Sequence, residues 1–504
     1  MNTSTEATSS EKFGPRDLAA FSAIVALAFG LPATFFPIAN YDVETASFVG
    51  SAYFVAAAAF MSLSAAALHR TLIHPYVLFV GTSCLFIGGR FFAYLFGGIQ
   101  STFYDANFKV LDLTGAEAWN LVTFVVPCML GLHAGYMWFW AQKRTDSTDK
   151  AAPLPSNFER TLAIPSAILL VICAPIAGWG VLQQYLACMS GGYLEVYQSS
   201  AEFASRSSNL AQYGLLLSMG LAFASRNRVL EILTTLCMAV VSLGLLVVGI
   251  RSTFLAFVLL ATFLAHKRVR RLNVLTALIV PVALVVFAQG ASVFSCRAVV
   301  EDERILNQQV IPEDERQAEF VERLSAGGIF AFIHNQGTSL LSIHVATTIP
   351  DYPLPALFQT FFPGFGVIAK LLGHPLELTD LYYGQYMAKE WMPDRYAVGE
   401  GFGWSIFSDL VVWSGNNHFV AFWLAAVLGA AFAVLISAAA TSAVWFGALV
   451  VIMPKLMLLP RAGLYSIFPY LIAFMVIVCG WWVVVRLYTR WRGRGGRVSA
   501  SQKA

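Results

Sequence analysis

Charge is what this chain has least of. Only 12% of its 504 residues are Asp, Glu, Lys or Arg, against about 25% in an ordinary soluble domain. A soluble protein of this length could not cover its surface with so few charges. That excludes a cytosolic enzyme, a secreted domain and a disordered chain. Cysteine motifs are missing too. Cys84, Cys128, Cys173, Cys188, Cys237, Cys296 and Cys479 are scattered, with no CxxC pair or Cys/His cluster, so neither a zinc site nor a redox motif is supported. Cys188 and Cys296 fall near the same face of the topology below, which leaves a bridge between them open. No P-loop, H-E-x-x-H or G-x-S-x-G occurs, and a nucleotide-driven reaction has no support. No basic domain stands apart from the apolar segments, so nucleic acid is not an expected partner.

What is present is apolar sequence, 58% of residues, with a mean hydropathy of +0.66. Runs near 20 residues read as membrane-spanning helices, since about 30 Å of hydrocarbon needs that length at 1.5 Å per residue. Spans are expected near 18–37, 46–68, 75–97, 118–141, 162–183, 208–224, 229–250, 252–266, 273–295, 418–438, 441–458 and 463–485. The first reads as a retained span rather than a cleaved signal peptide. The fold class expected is an all-α polytopic membrane protein of about 12 transmembrane helices with a long, partly helical extracytoplasmic loop. Its parts are a cytoplasmic N-terminus (1–16), a first bundle of about nine spans (17–295), the long loop (296–417), a second bundle of about three spans (418–485) and a basic cytoplasmic tail (486–504).

Sorting charges by side supports this order. With both termini inside, 19 of the 32 Lys and Arg fall on inner segments, as the positive-inside rule requires. The break in the pattern is the stretch from Cys296 to Asn417, far too long for an ordinary connection. Between Arg297 and Asp409 it holds seven Lys/Arg and fifteen Asp/Glu. Glu301–Glu322 is polar. Ile329–Thr348 and Leu354–Leu372 are apolar and amphipathic, as expected of segments that lie on or dip into a membrane surface.

The ionisable groups near the membrane are the candidates for chemistry, because each is costly there. Arg90 lies inside the third span, Arg251 at the tip of a hairpin, Arg461 after Pro460 at the outer end of the last hairpin, and Arg206 in an outer loop. Guanidinium forks suit diphosphate oxygens and stay charged when partly desolvated. Each arginine also has a plain reading as a snorkelling anchor or packing ion pair. His334 and His418 are candidate bases or phosphate donors, or else surface residues; His133 reads as a hydrogen bonder between helices. Glu400 and Asp409 sit in a glycine-rich stretch, Gly399–Asp409, where Asp409 is either a base or a helix N-terminal acid. Tyr352, Phe358, Tyr382, Tyr383, Tyr386, Trp391 and Trp404 offer sugar-stacking surface or interfacial anchors.

Several of these places, in order, resemble the Wzy-type polysaccharide polymerases, nearest to those of O-antigen and enterobacterial common antigen. Leu246–Leu260 looks like their hairpin of hydrophobic run, Gly-x-Arg, hydrophobic run. Asn335-Gln336-Gly337-Thr338-Ser339-Leu340 is similar to their QG-x-SL stretch. Gly401–Gly429 resembles their block of G-x-G-x-S, acid and span, with Asp409 where many relatives carry glutamate. Leu459–Leu464 looks like the arginine-bearing start of their final hairpin. The resemblance covers roughly Leu246–Cys479. It implies a GT-C-like membrane glycosyltransferase of the bacterial inner membrane, multi-pass, with both termini cytoplasmic. Such an enzyme transfers a growing glycan from undecaprenyl diphosphate to a new lipid-linked repeat unit on the periplasmic face. It implies no cofactor and no metal, donor and acceptor lipids as partners within membrane lipid, and a possible chain-length regulator. The roles implied are catalytic for Asp409, Arg251, Arg461 and His334, and substrate-binding for Arg90, Arg206, Gln336, Glu400 and His418. Two other readings stay open: a ligase or other lipid-linked glycan transferase, and a lipid-linked oligosaccharide flippase. The flippase lacks support from any internal repeat.

Overall fold

The computed structural model describes residues 14–35, 42–98, 102–103, 113–143, 156–191, 203–268, 328–397, 401 and 403–501. All the regular structure among these residues is helical, with no strand among them. In chain order the helices are α1 Pro15–Ala33, α2 Val43–His69, α3 Pro75–Phe86, α4 Gly89–Gly97, α5 Gly115–Gln142, α6 Asn157–Thr161, α7 Ala163–Gly191, α8 Phe203–Ser225, α9 Arg228–Val248 and α10 Arg251–Arg268. After them come α11 Gly328–Gln336, α12 Ser339–Thr348, α13 Leu354–Phe361, α14 Phe365–Leu371, α15 Leu378–Leu381, α16 Tyr383–Trp391, α17 Pro393–Ala397, α18 Ile406–Ser414, α19 His418–Thr441 and α20 Ala443–Leu458. Two 3-10 turns, Leu459–Arg461 and Leu464–Ser466, lead into α21 Phe468–Ser501.

Side-chain caps start many of them. Asp42 accepts from Thr45 N at 2.6 Å, Thr114 from Glu117 N, Asn227 from Val229 N, and Asn417 from Val420 N. Each pairs an N–H that the helix itself leaves open. Gly249 and Gly415 end α9 and α18 at φ values of +106° and +59°, where a side chain would be strained.

Among the described residues, eight helices are long and apolar enough to cross a membrane, or ten if each of two bent pairs is one span. The expectation of about 12 differs in three places. Residues 273–295 lie outside the described residues. Helices α8 and α10, expected as spans 208–224 and 252–266, form, but each carries polar or basic residues near one end and falls short of the eight in apolar character. The expected single span 75–97 is broken: α3 and α4 meet at 66°. The second bent pair is α13 and α14, turned by 116° around Pro363-Gly364, with Gly364 at φ +100°. Helix α12 also departs from expectation. It is buried from Ser339 to Ala346 and packs on α18 instead of lying on a surface.

The centre of the bundle is α5, buried at every residue from Leu121 to Ala134. A helix apolar all round belongs inside. It runs parallel to α19: His418 Nδ1 lies 3.1 Å from Thr123 O at one end, and Lys143 Nζ donates to Ser437 Oγ at 2.6 Å at the other. The two backbones touch through glycine. A Cβ on Gly135 would collide with Ala426 O, and one on Gly429 with Leu132 O. Small residues allow this approach where water cannot drive helices together. His133 joins three helices, 2.9 Å from Ser64 Oγ on α2 and 3.0 Å from Tyr76 OH on α3. Outward faces are apolar, as with Phe29, Val171, Val240 and Val427, which suits contact with lipid.

The crossing sets one expected result. Gly135→Leu should cost about 1–3 kcal/mol or more by overpacking, read as a lower apparent melting temperature of purified protein in detergent. Gly178→Ala on α7, where nothing lies within 4 Å of the added carbon, should hold or raise it. Equal behaviour of the two variants would contradict the close crossing.

Candidate functional site

The site is built on the break between α3 and α4. A Cβ on Gly88 would collide with the Phe54 ring, and one on Gly89 with Ile333 O of α11. The two glycines therefore let the chain bend and let the α11–α12 junction come down onto it. Gly337, at that junction, completes the contact: a Cβ there would stand 2.6 Å from Arg90 N and 2.8 Å from Arg90 Cγ. Arg90 is 1% exposed, and its Nη1 donates to Thr102 O at 3.3 Å. His334, also buried, lies one turn back on α11, and its carbonyl accepts from Gly337 N at 3.0 Å.

Arg461 reaches the same place from the far end of the chain. It closes the 3-10 turn after α20, and its Nη1 donates to Gln336 Oε1 at 3.1 Å. Its guanidinium lies 5.7 Å from the ring of Phe86, the last residue of α3. The fork is exposed, so charge is presented outward while Gln336 and the ring fix its direction.

Asp409 lies under this turn. It is 0% exposed. Trp404 Nε1 donates to Oδ1 at 2.7 Å, and the backbone N of Leu464 donates to Oδ2 at 2.8 Å. A Cβ on Gly463 would sit 2.7 Å from Trp404 Cδ1 and 2.9 Å from Asp409 Oδ2. The residues just after Arg461 are thus wrapped around the carboxyl. Burial pushes its pKa up to about 7, and the two N–H donors offset only part of that. Trp404 in turn sits among Tyr352 and Tyr383, each 5.8 Å away between ring centres, and Tyr386 lies 5.7 Å from Tyr352.

Arg90, His334, Gln336 and Arg461 therefore come together, with Asp409 behind Arg461. Arg251 and Arg206 share their end of the bundle. Phe263 and Phe223, near the ends of α10 and α8, both pack on Phe446 near the start of α20, so both helices run antiparallel to α20. Their first turns consequently lie toward the end of α20 that carries Arg461. His418 is at that end too, but it is held between α5 and α19 by Thr123 O and the Phe124 ring, 5.2 Å away. Glu400 lies outside the described residues. Cys188 is disulfide-bonded; Cys296, for which a bridge to it was left open, lies outside the described residues. Sequence reasoning missed Phe86, Gly463 and the Leu464 amide. Gly463 and Leu464 fall in the Leu459–Leu464 stretch, which was read for its arginine alone, and the two glycines before Arg90 hinted at a close approach. Among the described residues, no group of three His, Cys, Asp or Glu is placed to hold a metal ion.

An exposed guanidinium aimed by a glutamine, with the backbone and Cγ of a buried arginine packed against the neighbouring Gly337, is suited to a phosphate or diphosphate. No curated protein and no solved structure gives a significant match to this chain. A family model described as O-antigen polysaccharide polymerase Wzy matches residues 20–491, nearly the whole length. On that match, and with the apolar helices of a multi-pass membrane protein, the chain belongs to the O-antigen polysaccharide polymerase Wzy family.

Proposed function

We propose that the chain polymerises lipid-linked repeat units at the periplasmic face of the inner membrane, with undecaprenyl diphosphate as the leaving group. The observation that carries this is the Arg461–Gln336 contact set over the α3–α4 break, with Arg90 packed beneath. In the reaction an acceptor sugar hydroxyl attacks the anomeric carbon of the donor glycan. The new glycosidic C–O bond forms as the bond from that carbon to the diphosphate oxygen breaks. The hydroxyl proton passes to a base, and the electron pair leaves with the diphosphate.

Arg461 neutralises charge as it builds on the leaving oxygen, where a preorganised cation lowers the barrier most. Arg90 and Arg251 are assigned to the remaining phosphate oxygens, and Arg206 to the approach from the same end. Gln336 aims Arg461 and meets substrate beside it. His334, one turn before Gly337 on α11, is one candidate base. Asp409, with a carboxyl near neutrality, is the other candidate, and its immediate work is to hold the Arg461 turn. Glu400 and His418 remain candidates for sugar contacts, and the tyrosines around Trp404 for stacking. No metal is required, since the donor is already activated and arginines meet the charge.

The test is a gel of surface glycans from a deletion strain. Loss of this activity should leave single repeat units on the final acceptor. Lipid-linked long chains left unattached would instead mean a ligase, and repeat units trapped on the cytoplasmic side a flippase. Gln336→Ala, restored to that strain, should shorten chains and slow polymer synthesis about tenfold, the size of one lost hydrogen bond to a charged group. An unchanged length distribution would remove Gln336 from the site.

A further inference from the structure

At the opposite end of the bundle lies a feature that polymerisation does not use. Helix α20 links the two ends: Phe446 and Leu449 near its start line a cavity of about 640 Å³, and Arg461 follows its last turn. Its 16 residues separate cavity and cluster by about 24 Å. The cavity wall carries Arg16, Arg70, Lys143, Arg226, Lys267 and Arg268. No acid lines it among the described residues; Glu231 reaches Arg268 from behind at 3.2 Å.

Three of these cations are fixed in place. Arg16 Nε donates to Lys143 O at 2.9 Å, tying α1 to the end of α5. Lys143 Nζ donates to Ser437 Oγ at 2.6 Å and lies 4.6 Å from the centre of the Trp140 ring. Arg268 lies 5.2 Å from the centre of the Phe446 ring. The rest of the wall is apolar: Leu68, Phe263, Ile436, Phe446 and Leu449. His74, also on the wall, is held neutral well below the usual imidazole range by burial and by nearby His69 and Lys267.

Like charges around one cavity repel unless an anion joins them. Snorkelling topology signals would point apart into water. These surround a half-open cavity of the size that holds a small ligand. The cavity also sits where α2, α5 and α19 end, at His69, Gln142 and Thr441, the depth at which lipid head groups lie. A cationic rim above an apolar wall fits an amphiphile better than a free anion. We propose that this cavity binds the phosphate-bearing head group of an anionic membrane lipid, with the start of an acyl chain against the apolar wall. Basic pockets between helices at a membrane face take such head groups. The proposal stands apart from the reading of the opposite end.

The test uses full-length protein purified in mild detergent, with lipid retention read by native mass spectrometry. Phosphatidylglycerol and phosphatidylcholine of the same chain length are the probes, and inorganic phosphate is a separate competitor. Wild-type protein should retain phosphatidylglycerol in preference to phosphatidylcholine. Arg70→Gln, on the exposed rim, should weaken retention about fivefold, and Arg70→Gln with Lys267→Gln about 25-fold, near one such step per cation. Thermal unfolding of each variant shows whether it still folds, and Arg70→Gln alone serves if the pair does not. Equal retention of the two lipids by wild type, or undiminished retention by a folded variant, would overturn the proposal. Displacement by millimolar phosphate, with no preference between lipids, would overturn the lipid assignment in favour of a soluble anion.

Discussion

Arg461→Ala is expected to abolish long glycan chains, with the initial rate of polymer formation on lipid-linked repeat units falling roughly 10²–10³-fold, the usual cost of deleting one preorganised donor to developing negative charge. The variant should fold normally, since the residue is exposed. Arg461→Lys keeps the charge but loses the planar fork that Gln336 and Phe86 align. It should recover only part of the rate, mostly by restoring affinity for donor rather than turnover. A folded alanine variant that made chains of normal length and abundance would remove Arg461 from the reaction. So would a lysine variant no better than alanine, because a charge at this place must matter if diphosphate is the leaving group.

Asp409→Asn is expected to act through the turn rather than through substrate. The carboxyl accepts two N–H donors, from Trp404 and Leu464. An asparagine amide has one acceptor oxygen and turns its NH2 toward the other donor. One buried N–H is then left unpaired, at a cost of about 1–3 kcal/mol. The turn that carries Arg461 loosens, so turnover should fall with donor affinity less affected, and Asp409→Glu should restore little because Gly463 leaves no room around the carboxyl. pH separates this group from its neighbours. Its folded-state pKa is raised, to about 7, above the ordinary carboxylate value of 3.8. Its linked stability is therefore full below about pH 4 and lost as pH rises through about 7. Asparagine does not titrate. The melting temperature of wild type relative to Asp409→Asn should accordingly drop between pH 5.5 and 8. A constant difference would mean that the carboxyl does not titrate in this window.

The balance between sequence and structure differs from element to element. Helices α2, α5, α19 and α20 were legible, because long apolar runs bounded by Asp42, Thr114, Asn417 and Ser442 leave the backbone few other ways to satisfy its hydrogen bonds in a membrane. The break at Gly88-Gly89 was not. Hydropathy reads 75–97 as one run, and only the approach of Ile333 and Gly337 reveals why two glycines stand there. The burial of α12 was missed for the same reason: its composition suits a membrane surface as well as a protein interior, and what covers it comes from α18, about 65 residues on.

Composition and charge order alone determined that this is a polytopic membrane protein, and motif order pointed to its family, since both depend on residue types read along the chain. Which charges meet was decided only by the tertiary structure. Arg90, Gln336 and Arg461 are hundreds of residues apart in part, and they join because glycines at 88, 89 and 337 let separate helices touch. The same holds for Asp409, whose sequence context suggested an open acid at a helix start. Its burial under the Arg461 turn depends on a tryptophan side chain and a backbone amide 55 residues later, and no local pattern encodes that contact.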